Sequence, residues 1–166
     1  MAIRLVIFDC DRTLWHHEDV SSLDLPFHKV DDETVADARG IPVRLFSGVR
    51  DVLEALGRSG VVCSVASGNH PEPVLAVLDL LDLRRFFTHP KVEFHPHKDR
   101  MVRALLAELR DKGVDVHPEE ILFVDDRARN LDAVRAAIGP IETMQPGVDF
   151  TDFREVLRRA VPVSSD

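Results

Sequence analysis

Cysteine is scarce in this chain, and its scarcity excludes two kinds of architecture. The 166 residues include two cysteines, Cys10 and Cys63, and no Cys-x-x-Cys pair. A disulfide framework or a zinc site made of thiolates needs more cysteines than this. The low cysteine content is typical of a reducing compartment, so we predict a cytoplasmic protein.

Long apolar runs and an excess of positive charge are also missing. No stretch reaches the roughly 20 apolar residues that a transmembrane helix requires. Because a strand-like segment already occupies residues 3–8, we expect no signal peptide. Asp and Glu outnumber Lys and Arg by 29 to 21, which gives a formal net charge of −8. Nucleic-acid affinity depends on basic side chains that neutralise phosphates. We therefore expect no membrane and no nucleic-acid partner, while the oligomeric state stays open.

Short apolar runs alternate with helical patterns along the chain. The runs predict buried strands at residues 3–8, 61–66, 121–124 and 141–144, with a further short strand inside 86–94. Apolar residues at helical spacing predict helices around residues 49–56, 74–81, 102–109, 131–138 and 150–160. This alternation indicates an α/β fold, which we predict to be a single domain over residues 1–166. Its core would be an open parallel Rossmann-like sheet of about five strands with helices on both faces.

Residues 15–46 interrupt the alternation directly after the first strand. Within them, residues 34–38 and 41–45 flank Arg39-Gly40, a pattern that predicts a β-hairpin turned at Gly40. The insertion is too short for a domain of its own. We therefore predict a β-hairpin flap.

Polar residues stand at the carboxyl ends of the predicted strands, where ligands bind in open α/β sheets. They are Asp9, Asp11 and Thr13 after the first strand, Ser67, Gly68 and Asn69 after the second, Lys98 at a helix start, and Asp125 and Asp126 after residues 121–124. Carboxylates gathered so closely repel one another unless a cation lies among them. Hard oxygen ligands without cysteine favour Mg²⁺ as that cation.

The order of these motifs resembles a known superfamily. Asp-x-Asp-x-Thr after the first strand, then Ser, a later Lys and finally Asp-Asp is the motif order of the haloacid dehalogenase (HAD) superfamily. The segments FDCDRTLW, LPFHK, TVADARGIPVRLF, SVASGN and ILFVDDRARN are similar to its magnesium-dependent phosphatase-1 group. The resemblance extends from Ile3 to about Gly139. It departs from the group at Arg12, where an aromatic residue is usual, and in the Ser-Gly-Asn form of the second motif.

The resemblance implies catalytic roles for three residues. Asp9 would be the nucleophile that forms an aspartyl-phosphate. Asp11 would act as acid and then base, with its carbonyl oxygen on the metal. Lys98 would neutralise Asp9 and the phosphate.

The resemblance also implies the residues that hold the substrate and the metal. The implied substrate-binding residues are Thr13, which would support the loop, and Ser67, Gly68 and Asn69. The implied metal ligands are Asp9, Asp11, Asp125 and Asp126. Of the last two, Asp126 is the favoured direct ligand, and Asp125 would be a ligand or lie just behind it.

Several neighbouring residues keep alternative interpretations. Lys91 competes with Lys98 for the cationic role, and Asn130 either supports the metal site or lies on a helix surface. Strand alternation turns the Cys10 side chain away from those of the two aspartates. We therefore interpret Cys10 as a small buried apolar residue.

The roles of three flap residues and of two arginines are also undecided by the sequence. We favour substrate contact for Trp15, His28 and Lys29, because loops over a strand-end site commonly carry specificity. Arg12 and Arg127 fit either a substrate contact or an ordinary surface position.

These roles predict a Mg²⁺-dependent phosphomonoester hydrolase. Its substrate would be a small phosphorylated metabolite or sugar, or a phosphotyrosine-type group on a phosphoprotein. The alternatives are a receiver-like phospho-acceptor without enzymatic activity and a phosphotransferase. A receiver places its acidic pair early and lacks an acid two residues from the nucleophile, so Asp11 and the late Asp125-Asp126 pair favour the hydrolase.

Overall fold

A computed structural model describes residues 2–163 as nine β-strands and five α-helices. The strands are β1 (Leu5–Phe8), β2 (Trp15–His16), β3 (His28–Asp31), β4 (Thr34–Ala36), β5 (Pro42–Leu45), β6 (Val62–Ser67), β7 (Lys91–Val92), β8 (Ile121–Val124) and β9 (Glu142–Met144). The helices are α1 (Val49–Arg58), α2 (Pro71–Leu80), α3 (Lys98–Asp111), α4 (Ala128–Ile138) and α5 (Arg154–Ala160). None of the helices within residues 2–163 has the length and apolarity to cross a membrane.

The central sheet has five parallel strands in the order β7-β6-β1-β8-β9. Strand β1 lies in the middle, where Phe8 pairs with Val65 on one side and with Val124 on the other. All four residues of β1 are buried, as the unbroken apolar run predicts for a strand covered on both faces. The carboxyl ends of β1, β6 and β8 therefore lie side by side at one edge.

Helices cover both faces of this sheet, as predicted. Val6 and Phe8 of β1 pack in an apolar cluster with α1, α2 and α5. Leu5 and Ile7 point the other way and pack in a second cluster with α3 and α4. The alternation of side chains along a strand produces this division. The α/β fold predicted from the sequence is confirmed.

The flap contains more structure than a hairpin. Strands β4 and β5 form the predicted antiparallel pair, but β2 and β3 extend it to a four-stranded sheet in the order β2-β5-β4-β3. Buried Asp37 organises the turn: its Oδ1 accepts hydrogen bonds from the backbone N–H groups of Arg39 at 3.0 Å and Ile41 at 2.8 Å. Apolar flap residues such as Trp15 and Val43 join the cluster on the α1 face, so the flap shares a core with the sheet.

Candidate active site

The edge formed by β1, β6 and β8 opens into a cavity of about 440 Å³. The cavity is lined by residues that follow these three strands and by the first residue of α3. Among them are Asp9, Asp11, Gly68, Asn69, Asp126 and Lys98. The structure thus brings together residues that are far apart in the sequence. The location agrees with the general rule for open α/β sheets.

Lys98 is the central cation of this cluster. Its Nζ donates hydrogen bonds to Asp9 Oδ1 at 2.8 Å, to Asp125 Oδ2 at 3.0 Å and to the Ala66 carbonyl oxygen at 2.7 Å. Burial alone would lower the pKa of Lys98, but the charges of Asp9 and Asp125 outweigh it and raise the pKa above its usual value. The side chain therefore stays an ammonium.

Lys91, the competing lysine, lies elsewhere. It forms an ion pair with Glu108 of α3 and is one of the two residues of the edge strand β7. The structure therefore places Lys98, and not Lys91, beside Asp9.

Asp9 lies at the end of β1 with its carboxylate directed into the cavity. Its Oδ2 accepts a hydrogen bond of 3.3 Å from Thr13 Oγ1, and its backbone N–H donates to the Val124 carbonyl oxygen at 2.9 Å. Burial raises the pKa of Asp9, Lys98 opposes this effect, and the neighbouring Asp126 carboxylate adds to it. A second cation near Asp9 would relieve the repulsion.

Asp11 is held by donors on both of its carboxylate oxygens. Oδ1 accepts from Trp15 Nε1 at 2.9 Å and from the Val20 backbone N–H at 3.3 Å, and Oδ2 accepts from Asn69 Nδ2 at 2.9 Å. Burial raises the pKa of Asp11, while the hydrogen bonds from Trp15 and Asn69 lower it. A raised carboxyl pKa suits a group that must both give and take a proton.

Carboxylates from two strand ends form a group that fits a divalent cation. One oxygen each of Asp9, Asp125 and Asp126 lies within 4.8 Å of the others. An all-oxygen donor set of this kind suits Mg²⁺, which takes one or two carboxylates and keeps several waters. Burial raises the pKa of Asp125 and the Asp9 charge adds to this effect, while Lys98 opposes it.

The two adjacent aspartates have different surroundings. Asp125 is fully buried and accepts hydrogen bonds from Lys98 at 3.0 Å, from the Arg127 backbone N–H at 2.9 Å and from Asn130 Nδ2 at 3.1 Å. Asp126 is half-buried and lines the cavity. The Asp126 carboxylate is therefore the more accessible of the two, and Asn130 contacts Asp125 by a hydrogen bond.

The second motif lines the cavity through Gly68 and Asn69, while Ser67 is fully buried behind them. Ser67 Oγ accepts a hydrogen bond of 2.9 Å from Asn69 Nδ2. A Cβ atom on Gly68 would lie 2.8 Å from the His95 carbonyl oxygen, so this position has no room for a side chain. The loop after β6 therefore passes close to the segment before α3.

The structure corrects the expected substrate contacts in the flap. Trp15 is fully buried, and its indole N–H bonds to Asp11 instead of facing a ligand. His28 and Lys29 lie exposed on β3, outside the set of residues within 2–163 that line the cavity. Trp15 differs from the expectation because it packs into the core that the flap shares with the sheet, whereas His28 and Lys29 are exposed on a flap strand that does not line the cavity.

Three further positions have clear outcomes. Cys10 is buried in the apolar cluster on the α1 face, as strand alternation predicts. Arg12 is exposed, pairs with Glu18 at 2.8 Å and lines a neighbouring groove, whereas Arg127 lines the Asp9 cavity. The sequence did not single out Phe94, which also lines the cavity, because it follows a strand of two residues without a recognisable motif.

Comparison with solved structures identifies the class of fold. A HAD-superfamily hydrolase of subfamily IA, variant 1, from Geobacter sulfurreducens PCA is similar with a TM-score of 0.63 and 20% identity, over 94% of this chain and 98% of that one. A HAD-superfamily hydrolase from Ehrlichia chaffeensis gives a TM-score of 0.63 and 15% identity, over 95% of each chain. The fold is that of HAD-superfamily hydrolases.

Sequence comparison narrows the class to a family. The family model described as Acid Phosphatase matches residues 2–160. Magnesium-dependent phosphatase 1 from Homo sapiens is 35% identical over 129 residues, which cover 77% of this chain and 70% of that protein. The chain belongs to the acid phosphatase family of HAD phosphatases, and the resemblance noted in the sequence is confirmed.

Proposed function

We propose that this phosphatase is a Mg²⁺-dependent phosphomonoester hydrolase that works through an aspartyl-phosphate on Asp9. The observation that carries the proposal is the position of Asp9, whose carboxylate lies 2.8 Å from the Lys98 ammonium and within 4.8 Å of an Asp126 carboxylate oxygen. In this proposal Asp9 is the nucleophile, Lys98 is a fixed positive charge beside it, and the Asp9 and Asp126 carboxylates form a site for a metal cation. Positioning and charge neutralisation of this kind account for most of the catalysis in phosphoryl transfer.

The proposed reaction has two steps. A carboxylate oxygen of Asp9 attacks phosphorus, the bond from phosphorus to the leaving oxygen breaks, and Asp11 donates its proton to that oxygen. Water then attacks the aspartyl-phosphate while Asp11 takes a proton from it, and the bond from Asp9 to phosphorus breaks. Lys98 balances the charge of Asp9 and the transferred group in both steps.

The metal-binding residues in this proposal are Asp9 and Asp126, with the carbonyl of Asp11 as a third contact. Asp125 lies behind them and orients the group through Lys98 and Asn130. When bound, Mg²⁺ would supply positive charge that neutralises the phosphoryl oxygens. The human relative named magnesium-dependent phosphatase 1 supports this choice of metal.

The proposed substrate is a small phosphorylated metabolite or sugar, or a phosphotyrosine-type group. A cavity of about 440 Å³ suits a ligand of this size. We further propose that the protein works in the cytoplasm, where buried free thiols such as Cys10 and Cys63 stay reduced.

A receiver-like phospho-acceptor is the alternative from another class. A receiver needs a nucleophile, Lys and Mg²⁺ but no acid–base group beside the nucleophile. Here Asp11 lines the same cavity as Asp9 and is held by three hydrogen bonds, which favours turnover over a stable phosphorylated state.

The test is a panel of phosphorylated metabolites, phosphopeptides and aryl phosphates, assayed with and without Mg²⁺ and ranked by kcat/KM. We expect Mg²⁺-dependent release of phosphate by the wild type and none by Asp9→Asn, a nearly isosteric change that keeps the fold. Turnover close to the wild-type rate in Asp9→Asn would exclude the aspartyl-phosphate mechanism.

A further inference from the structure

A chain of hydrogen bonds connects the flap to Asp11. Asn69 Nδ2 donates to Asp11 Oδ2 and to Ser67 Oγ, both at 2.9 Å. Asn69 Oδ1 accepts from the hydroxyl of Ser21 at 2.7 Å. Ser21 belongs to a short 3₁₀ turn of the flap, whereas Asn69 follows β6 of the central sheet. The flap thus reaches the acid–base residue through one amide.

With Asp11 ionised, the donors and acceptors in this chain of hydrogen bonds leave one arrangement. The backbone N–H of His70 donates to Ser21 Oγ at 3.0 Å. An ionised carboxylate only accepts, so Asp11 requires the NH₂ group of Asn69, and the Asn69 carbonyl oxygen then accepts the hydrogen of the Ser21 hydroxyl. With its carbonyl oxygen bonded to Ser21, Asn69 turns its NH₂ group towards Asp11. The inverted amide would place one oxygen against another at the Asp11 carboxylate.

The flap and the segment after β6 therefore bond to different oxygens of the Asp11 carboxylate. Trp15 and Val20 of the flap bond to Oδ1, and Asn69 bonds to Oδ2. All three donors are neutral, and Asp11 is 9% exposed. Its carboxylate consequently has little freedom to rotate unless one of these bonds breaks.

We propose that Asn69 is a positioning residue for Asp11 and that Ser21 sets the orientation of its amide. The flap then serves the acid–base step, and Asn69 acts through Asp11 instead of binding the phosphate. This inference rests on the proposed function, in which the Asp11 proton passes to the leaving oxygen as its bond to phosphorus breaks.

The experiment compares two substrates that differ in their need for an acid. An alkyl phosphate has a poor leaving group that requires a proton, whereas 4-nitrophenyl phosphate leaves readily without one. Loss of a whole acid–base group costs about 10²–10⁴-fold, so a misoriented one should cost about 10-fold or more. We expect Asn69→Ala to lower kcat/KM for the alkyl phosphate about 10-fold more than for 4-nitrophenyl phosphate.

Ser21 provides a matched set of variants. Ser21→Ala should show the same dependence on the leaving group, with a smaller effect, and Ser21→Thr should restore the wild-type ratio because it keeps the hydroxyl. Ser22→Ala is the control, since Ser22 Oγ bonds to the Asp19 carbonyl oxygen at 2.7 Å outside the chain of bonds to Asp11. It should leave both kcat/KM values unchanged.

The possible outcomes separate the two proposals. Equal losses on both substrates, or a rise in KM alone, would show that Asn69 contacts the substrate or only stabilises the fold, and would overturn the positioning role. If Asn69→Ala does not fold, the Ser21→Ala variant provides the test, because Ser21 is half-buried. An unchanged ratio of the two kcat/KM values in Ser21→Ala would overturn the role of the flap. A wild type that hydrolyses neither substrate would overturn the proposed function itself.

Discussion

Lys98 Nζ lies 2.8 Å from Asp9 Oδ1, although 89 positions separate the two residues in the sequence. The contact joins the first residue of α3 to the end of β1. Because Lys98 also bonds to Asp125, one ammonium balances carboxylates from two neighbouring strand ends. Its side chain therefore connects the elements around the cavity, and in the proposed mechanism it also neutralises the charge of a bound phosphate.

We expect Lys98→Met to lower kcat/KM by about 10²-fold or more, the cost of removing one group that stabilises transition-state charge. The variant should also be less stable without metal, because breaking a buried ion pair from one side costs about 3–5 kcal/mol. Lys91→Met is the control, since Lys91 pairs with Glu108 away from the cavity. Phosphate release and thermal unfolding measure both effects, and equal losses in the two variants would contradict the role of Lys98.

The two adjacent aspartates should respond differently to truncation. Asp126 lines the cavity, whereas Asp125 is enclosed by Lys98 and Asn130. Asp126→Ala should therefore raise the Mg²⁺ concentration needed for half-maximal activity more than Asp125→Ala, whose effect should stay within the about 10–100-fold typical of a residue that supports a ligand.

Calorimetric titration with Mg²⁺ provides a second measurement for this pair, independent of turnover. Asp125→Ala should lose more thermal stability than Asp126→Ala, because it leaves buried Lys98 with one partner fewer. The opposite ranking for Mg²⁺ affinity would make Asp125 the direct ligand.

Much of this site could be predicted from the order of the strand-end motifs. Asp9, Asp11 and Asp126 all lie within three residues after the end of a buried apolar run. Strand prediction therefore already places them at one edge of the sheet. The position of Lys98 at the start of a predicted helix favours it over Lys91 as the cation, and its contact with Asp9 agrees with this prediction.

The flap could not be predicted to the same extent. Strand β2 has two residues, and all four residues of β3 are exposed, so neither shows an apolar alternation. The orientation of Trp15 depends on a tertiary hydrogen bond to Asp11 and not on a local pattern. The link between Ser21 and Asn69 spans 48 positions and leaves no signal in either segment.

Two glycines allow a test of the close approach beside the cavity. A Cβ at Gly68 would lie 2.8 Å from the His95 carbonyl oxygen, whereas a Cβ at Gly57 in α1 would meet nothing within 4 Å in residues 2–163 beyond its own stretch of helix backbone. Gly68→Ala should displace the segment before α3, lower kcat/KM and reduce Tm. Gly57→Ala should raise stability by up to about 1 kcal/mol, the helix preference of Ala over Gly, and leave activity unchanged. Wild-type activity in Gly68→Ala would show that this segment does not have to hold its position.

The final prediction uses Asp11 to distinguish an enzyme from a phosphorylated switch. In Asp11→Asn the remaining oxygen can still accept from Trp15, but the new NH₂ group faces the NH₂ of Asn69 and no base is left. Hydrolysis of the aspartyl-phosphate should slow by about 10²–10⁴-fold, more than its formation from an aryl phosphate that needs little acid. Intact-protein mass spectrometry should then show one added phosphoryl group, located on Asp9, which Asp9→Asn does not acquire. Wild-type protein should carry little of it, because it turns over. A wild type that stays phosphorylated, with the same lifetime in Asp11→Asn, would instead identify a receiver-like switch.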